Sequence, residues 1–402
     1  MKNQSSLPRL SKPWIPLIVI SILSIYCRSH YPELLPTATV RSESKTDRIP
    51  VVFVPGIKGS VLLNEEGDKL WLTGTQALGL QTPNLGLYGE NQDLIPGGPV
   101  LRVTAIPYLI EQEIYGPWIQ RMMSEPAIDF YVFSYDWRKD NLITQARLVR
   151  FLKEIQSKYN QKPVLIGHSM GGMLSFSAAN QNPGLVEKAI FVGTPFRGGI
   201  GYMEDLLLGN STGLNKSIQG PCQIAKYESV YGFFPRLKTT DTKDTTLDAS
   251  GKPLNLDFFS EQTWKDQSWG FYAHSCHPDQ IPNPIEFQFK LDRARKFRES
   301  LDPKPEFAAT KPKLLVVSAK NRPSLRAINR IGNTGPGSLV RWDFQKAELV
   351  PGDGRVTYEN SLPAPGVNYT YFETDFEHGV LMNDPNLFKK VLAFLEISDK
   401  SE

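Results

Sequence analysis

The chain has 402 residues, of which 40% are hydrophobic and 22% charged; this balance excludes a disordered chain, a collagen and a multi-span membrane bundle. Lys and Arg number 45 against 42 Asp and Glu, a net charge of +3 that is too small for a basic nucleic-acid-binding surface. Three cysteines, Cys27, Cys222 and Cys276, are too few for a disulfide scaffold.

The amino terminus carries Lys2, Arg9 and Lys12 ahead of an apolar run from Trp14 to Cys27. A basic flank before a short apolar run predicts an export signal or membrane anchor over residues 1–27, so an exported or membrane-anchored protein is expected. Cys27 is a poor lipid-attachment site because the bulky Tyr26 precedes it. Residues 28–48 are polar, contain Pro32 and Pro36, and read as a tether.

A domain over residues 49–402 begins with Ile49 to Val54, a continuous apolar run rich in β-branched residues, as expected of a strand buried on both faces of a parallel sheet. Phe130 to Ser134 predicts a second strand. Leu142, Ala146, Val149, Leu152 and Ile155 recur at helical spacing and predict an amphipathic helix over Asn141 to Tyr159. Strand Val164 to Ile166, helix Gly172 to Asn180 and strand Ala189 to Val192 follow. This alternation calls for a mostly parallel sheet with helices on both faces. It breaks at about residues 198–300, where aromatics interleave with a polar stretch, and this region reads as an inserted cap. Its aromatics either line an acyl-chain groove or form plain core. Alternation resumes with Leu314 to Ser318 and Tyr369 to Glu373, and a last helix starts near Pro385.

The most informative segment is Gly167-His168-Ser169-Met170-Gly171, a G-x-S-x-G pattern between a short apolar strand and a helix. In that context the serine sits on a tight turn with its hydroxyl outside the sheet, an arrangement that defines the nucleophile of an α/β-hydrolase fold. No Lys follows the glycines, which excludes a phosphate-binding P-loop. The chain order of this fold, serine, acid, histidine, then points to Asp353 in Pro351-Gly352-Asp353-Gly354 and to His378, the only histidine after it. Asp375 and Glu377 lie nearer His378 in sequence but read as rim charges, because neighbours on one short loop seldom face the same ring nitrogen. An oxyanion hole needs two backbone N–H groups. Met170 is the expected first donor and Ile57 the second, with Gly56 as its alternative. His274, Cys276 and His277 are spaced too tightly for a zinc site. No metal or cofactor is expected.

Taken together these residues resemble the lecithin:cholesterol acyltransferase family, which includes lysosomal phospholipase A2 and the phospholipid:diacylglycerol acyltransferases. The resemblance runs through Val51–Leu62 (VVFVPGIKGSVL), Leu70-Trp71-Leu72, Tyr135-Asp136-Trp137-Arg138, Gly167–Gly172 (GHSMGG), Gly193–Gly198 (GTPFRG) and Gly352-Asp353-Gly354 with the later Glu377-His378. It implies Ser169, Asp353 and His378 as catalytic triad and Ile57 and Met170 as oxyanion donors. It also implies Trp71 and Trp137 beside the substrate, although for Trp137 and Arg138 a structural role at the strand end, with the Arg fork beside Asp136, is the preferred reading. The implied activity is transfer of an acyl chain from a lipid ester, at a membrane surface, to water or to a lipid alcohol. A carboxylesterase or thioesterase for smaller esters is the enzymatic alternative on the same fold. A membrane-tethered, non-catalytic binding protein is the other, and it would be expected to show a broken triad. The family's animal members close an early lid with a disulfide, but residues 64–107 contain no cysteine here. Cys222 and Cys276 flank the cap and could bridge under oxidising conditions.

Overall fold

Six strands, β1 (Ile49–Val54), β2 (Ile128–Val132), β3 (Val164–His168), β4 (Lys188–Val192), β5 (Lys313–Ser318) and β8 (Thr370–Glu373), form one sheet in the order β8-β5-β4-β3-β1-β2. Every neighbouring pair in it is parallel. The computed structural model describes residues 47–397 apart from 88–91, 107–109, 213–214, 239–240, 274 and 332–340.

The β-branched runs behave as their composition requires. Successive side chains of a strand point to opposite faces, so Val52 and Val54 enter one apolar cluster while Val51 and Phe53 enter the other. Strands β3, β4 and β5 divide in the same way, and both faces are buried. After α1 (Gly116–Ser124) and β2, helix α2 (Asn141–Tyr159) starts on Asp140, whose carboxylate caps the Leu142 N–H, and stops on Asn160 in the left-handed region. Its buried stripe is Asn141, Thr144, Leu148, Leu152, Ile155 and Tyr159, turned slightly from the predicted one; Ala146 is exposed. Asn141 and Thr144 are admitted to the core because they donate to the Ser229 and Asp140 carbonyls.

Between β4 and β5 the described residues include α4 (Met203–Leu208) and α5 (Pro284–Glu299). The latter buries Phe287, Leu291, Ala294, Phe297 and Arg298. Trp264, Trp269, Phe258, Phe234 and Tyr231 are buried among themselves and against Phe287. These aromatics therefore form core, not the wall of a groove. Cys222 and Cys276 are disulfide-bonded across 54 residues of chain, and this removes the three-residue metal reading. Closing a loop of that size is expected to stabilise the fold by up to about 4 kcal/mol. Urea unfolding with and without a reductant checks it, and coincident curves would contradict it.

After β5 the chain makes a long antiparallel hairpin, β6 (Arg322–Ile331) and β7 (Arg341–Gly352). Helix α6 (Pro385–Phe394) closes the fold, capped by Asp384. The predicted segment Trp14–Cys27 lies outside the described residues, and no helix among the described residues is long and apolar enough to cross a membrane. The expectation of an exported or membrane-anchored protein is corrected on this finding. For the anchor, the run itself is also shorter than the roughly 20 residues a helical span requires.

Candidate active site

Strand β3 ends at His168, helix α3 (Met170–Gln181) begins at Met170, and Ser169 alone makes the turn between them with φ 54° and ψ −122°. A non-glycine residue held there costs on the order of 1–3 kcal/mol, which the surroundings must impose. The Ser169 N–H donates to the Val192 carbonyl at 2.9 Å. Glycine is required beside it because a Cβ on Gly171 would collide with the Val54 and Pro55 carbonyl oxygens, and one on Gly167 would lie 2.6 Å from the Gly171 carbonyl. The helix thus starts directly against the end of β1.

His378 Nε2 lies 2.9 Å from Ser169 Oγ, and its Nδ1 lies 2.8 Å from Asp353 Oδ2. An ionised carboxylate only accepts, so Nδ1 carries the proton and Nε2 is free to accept from the serine hydroxyl. Asp353 follows directly on β7, and its other oxygen accepts from the Val356 and Arg355 N–H groups at 2.7 and 3.0 Å. Burial pushes the Asp353 carboxyl up, but His378 and the two N–H groups outweigh it and hold the carboxyl below its ordinary value. Asp375 and Glu377 are exposed. The structure therefore brings together Ser169, His378 and Asp353, residues up to 209 apart in sequence.

The loop after β1 carries the expected oxyanion donors. Tyr135 Oη donates to the Pro55 carbonyl at 2.8 Å, Trp71 Nε1 to the Lys58 carbonyl at 3.0 Å, and Trp137 Nε1 to the Ser60 carbonyl at 3.0 Å. Three aromatic side chains thus fix its course. Arg138 grips Asp136 through two nitrogens, at 2.8 and 2.6 Å, and donates to the Leu85 carbonyl. Trp71 reaches the cavity wall, whereas Trp137 is fully buried behind the loop and does not line the cavity. Trp137 was expected beside the substrate; its indole is instead committed to the loop carbonyl.

Two residues that sequence reasoning missed choose between the donors. The Gly56 N–H is already given to Tyr115 Oη at 2.9 Å, while those of Ile57 and Met170 donate to no described residue. Tyr115 Oη lies 2.7 Å from His168 Nδ1, and His168 Nε2 lies 2.9 Å from the His378 carbonyl. That carbonyl can only accept, so Nε2 carries the His168 proton and Tyr115 donates to Nδ1. Burial, with His378 nearby, lowers His168 to about 3, so it stays neutral. One buried chain of hydrogen bonds therefore links the loop after β1 to the backbone of His378. Tyr115→Phe would leave the Gly56 N–H and His168 Nδ1 without partners and is expected to destabilise the protein by about 1–3 kcal/mol. Thermal unfolding checks this, and an unchanged midpoint would contradict it.

Ser169 and His378 open into a cavity of about 540 Å³, with Ile57, Trp71, Leu72, Ile114, Tyr202 and Phe233 in its wall. Lys58 also lines it. Burial lowers the Lys58 ammonium to about 8; Asp205 opposes that and Arg355 adds to it.

A family model described as the alpha/beta hydrolase fold matches residues 122–217, the stretch that contains the serine turn. In overall structure the chain is similar to one in the Tle4-Tli4 complex, with a TM-score of 0.58 at 14% identity over 88% of this chain and 100% of that one. Bacillus licheniformis lipase BlEst2 in its mature form aligns at a TM-score of 0.42 and 15% identity, over 90% of this chain and 98% of that one. An uncharacterized protein of Saccharomyces cerevisiae is 26% identical over 231 residues, covering 54% of this chain and 33% of the relative. The match thus spans about a third of that relative's length. The fold is that of the α/β-hydrolases.

Proposed function

We propose that the protein is a serine-dependent acyl-transfer enzyme acting on lipid esters. The observation that carries this reading is the hydrogen-bonded chain from Ser169 Oγ through His378 to Asp353 at the edge of a largely apolar cavity. Ser169 attacks the ester carbonyl while His378 Nε2 takes its proton. Asp353 keeps the imidazole in the required tautomer and stabilises the imidazolium that forms. The carbonyl oxygen, negative in the tetrahedral intermediate, meets the uncommitted N–H groups of Ile57 and Met170, the latter at the positive end of α3. His378 then returns its proton to the leaving alcohol, and an acyl-enzyme remains on Ser169. A second alcohol or water, deprotonated by His378, discharges it.

Residues 198–300 act in this reading as the cap, since Gly199, Tyr202, Asn210 and Phe233 complete the cavity wall above the serine. The resemblance of Val51–Leu62 and Tyr135–Arg138 to the lecithin:cholesterol acyltransferase family favours a phospholipid or acylglycerol donor and allows a lipid alcohol acceptor. The test supplies acyl-labelled phospholipid vesicles containing a lipophilic alcohol and follows the label by mass spectrometry. Labelled ester supports an acyltransferase and labelled fatty acid alone a hydrolase. If neither forms while a small soluble ester is cleaved, the lipid substrate is wrong and the triad stands.

A further inference from the structure

The residue after the oxyanion donor Ile57 is a lysine with φ 63° whose carbonyl is pinned by Trp71, so the root of its side chain is fixed relative to the oxyanion loop. That side chain is partly buried and lines the cavity that holds Ser169 and His378. Its Nζ stands 5.7 Å from the centre of the Tyr202 ring and makes no hydrogen bond or ion pair with a described residue. Arg355, the other cation in the wall, is already held by the Asp205 carboxylate and the Gly201 carbonyl. No Asp or Glu is among the described residues lining the cavity. The carboxylate of Asp205 acts on Lys58 at a distance but is bonded to Arg355; an ammonium partly stripped of water with no carboxylate bonded to it is costly, and a ligand anion is the partner that offsets the cost.

We propose that Lys58 binds a phosphate or carboxylate group carried by the ester that Ser169 attacks, and so selects negatively charged esters; this rests on the esterase reading of Ser169. The lysine recognises the anion while the neighbouring N–H groups of Ile57 and Met170 receive the carbonyl oxygen. Substrate charge is thereby read within a residue of the reacting centre. At neutral pH the side chain still carries its proton, since its value lies near 8.

The test compares three hexanoyl esters on the full chain and on Lys58→Met: neutral 1-hexanoylglycerol, 1-hexanoylglycerol 3-phosphate, and the hexanoyl ester of glyceric acid. For whichever anion is recognised, the ratio of kcat/KM for the charged over the neutral ester is expected to fall about tenfold or more, the worth of one charge-assisted hydrogen bond. The phosphate and carboxylate arms show which anion is preferred. Both ratios moving less than about threefold would overturn the proposal. A second arm reads binding alone: calorimetry on Ser169→Ala protein is expected to show the better charged ester bound about tenfold more weakly once Lys58→Met is added. Equal affinities would overturn the proposal even if no ester is turned over, whereas hydrolysis that survives Ser169→Ala overturns only the esterase reading. Lys58→Gln serves in both arms if the methionine variant fails to fold.

Discussion

Ser169→Ala is expected to lower ester turnover by about 10⁶-fold, to the level left by binding and the oxyanion N–H groups alone. It is also expected to abolish covalent labelling by a fluorophosphonate. The size follows from the geometry: Ser169 Oγ is the hydroxyl that His378 Nε2 addresses at 2.9 Å, on a turn fixed by the Val192 carbonyl. Alanine preserves that turn, because the strained φ of 54° belongs to the backbone and the glycines around it are untouched. His378 keeps its bond to Asp353, and its freed Nε2 faces the cavity, where water can satisfy it. Folding should therefore be unaffected. Turnover assays, labelling and thermal unfolding on the same preparation check all three, and labelling of the alanine variant would contradict the assignment of the nucleophile.

The second large effect concerns stability. Arg138→Leu is expected to cost about 3–5 kcal/mol, because it leaves the Asp136 carboxylate, 2% exposed, without its partner. Arg138 itself is fully buried and also holds the Leu85 carbonyl, so the loss extends to the loop on that side of the site. Against a total stability of roughly 5–15 kcal/mol this is a large fraction. The desolvation argument makes a sharper demand: adding Asp136→Leu should recover most of the loss, since the penalty lies in the uncompensated charge and not in the missing contact. Urea unfolding of the single and double variants checks it. A single variant that loses less than about 1 kcal/mol would contradict the account.

Much of the sheet and the central site was legible because each rests on local patterning. The apolar, largely β-branched runs mark β1, β3, β4 and β5, the first three of them running into glycine, and the glycines around Ser169 mark the turn whose backbone clearance only glycine permits. Helix α5 was missed because Ile285 and Phe289 are exposed on the face opposite Phe287 and Leu291, so its apolar residues show no clean stripe. The hairpin of β6 and β7 was missed for a related reason. Its strands carry four Arg with a Lys, an Asp and a Glu, and shifts of register at Leu325–Ala327 and Ala327–Asn329 break the alternation. Asp353 was found without its strand, since the chain order of the fold and the flanking glycines sufficed. Tyr115 carried no local signal, and Tyr135 stood out only as part of the Tyr135–Arg138 motif, with no role assigned to its hydroxyl. Their hydroxyls matter through partners 53 to 80 residues away, which no spacing rule reaches. Trp137 shows the converse: an informative motif identified the residue, and only the fold revealed that its indole holds the loop after β1 from behind.

The most direct test of the central claim is to trap the acyl-enzyme. The protein is mixed with excess hexanoyl ester, quenched in acid within milliseconds, digested, and the peptide containing Ser169 is analysed by mass spectrometry. The account predicts one hexanoyl group on Ser169 that forms no later than the released alcohol and is absent from Ser169→Ala protein. Release of alcohol and acid at full rate with no acyl group on Ser169, or with the group on another residue, would contradict it.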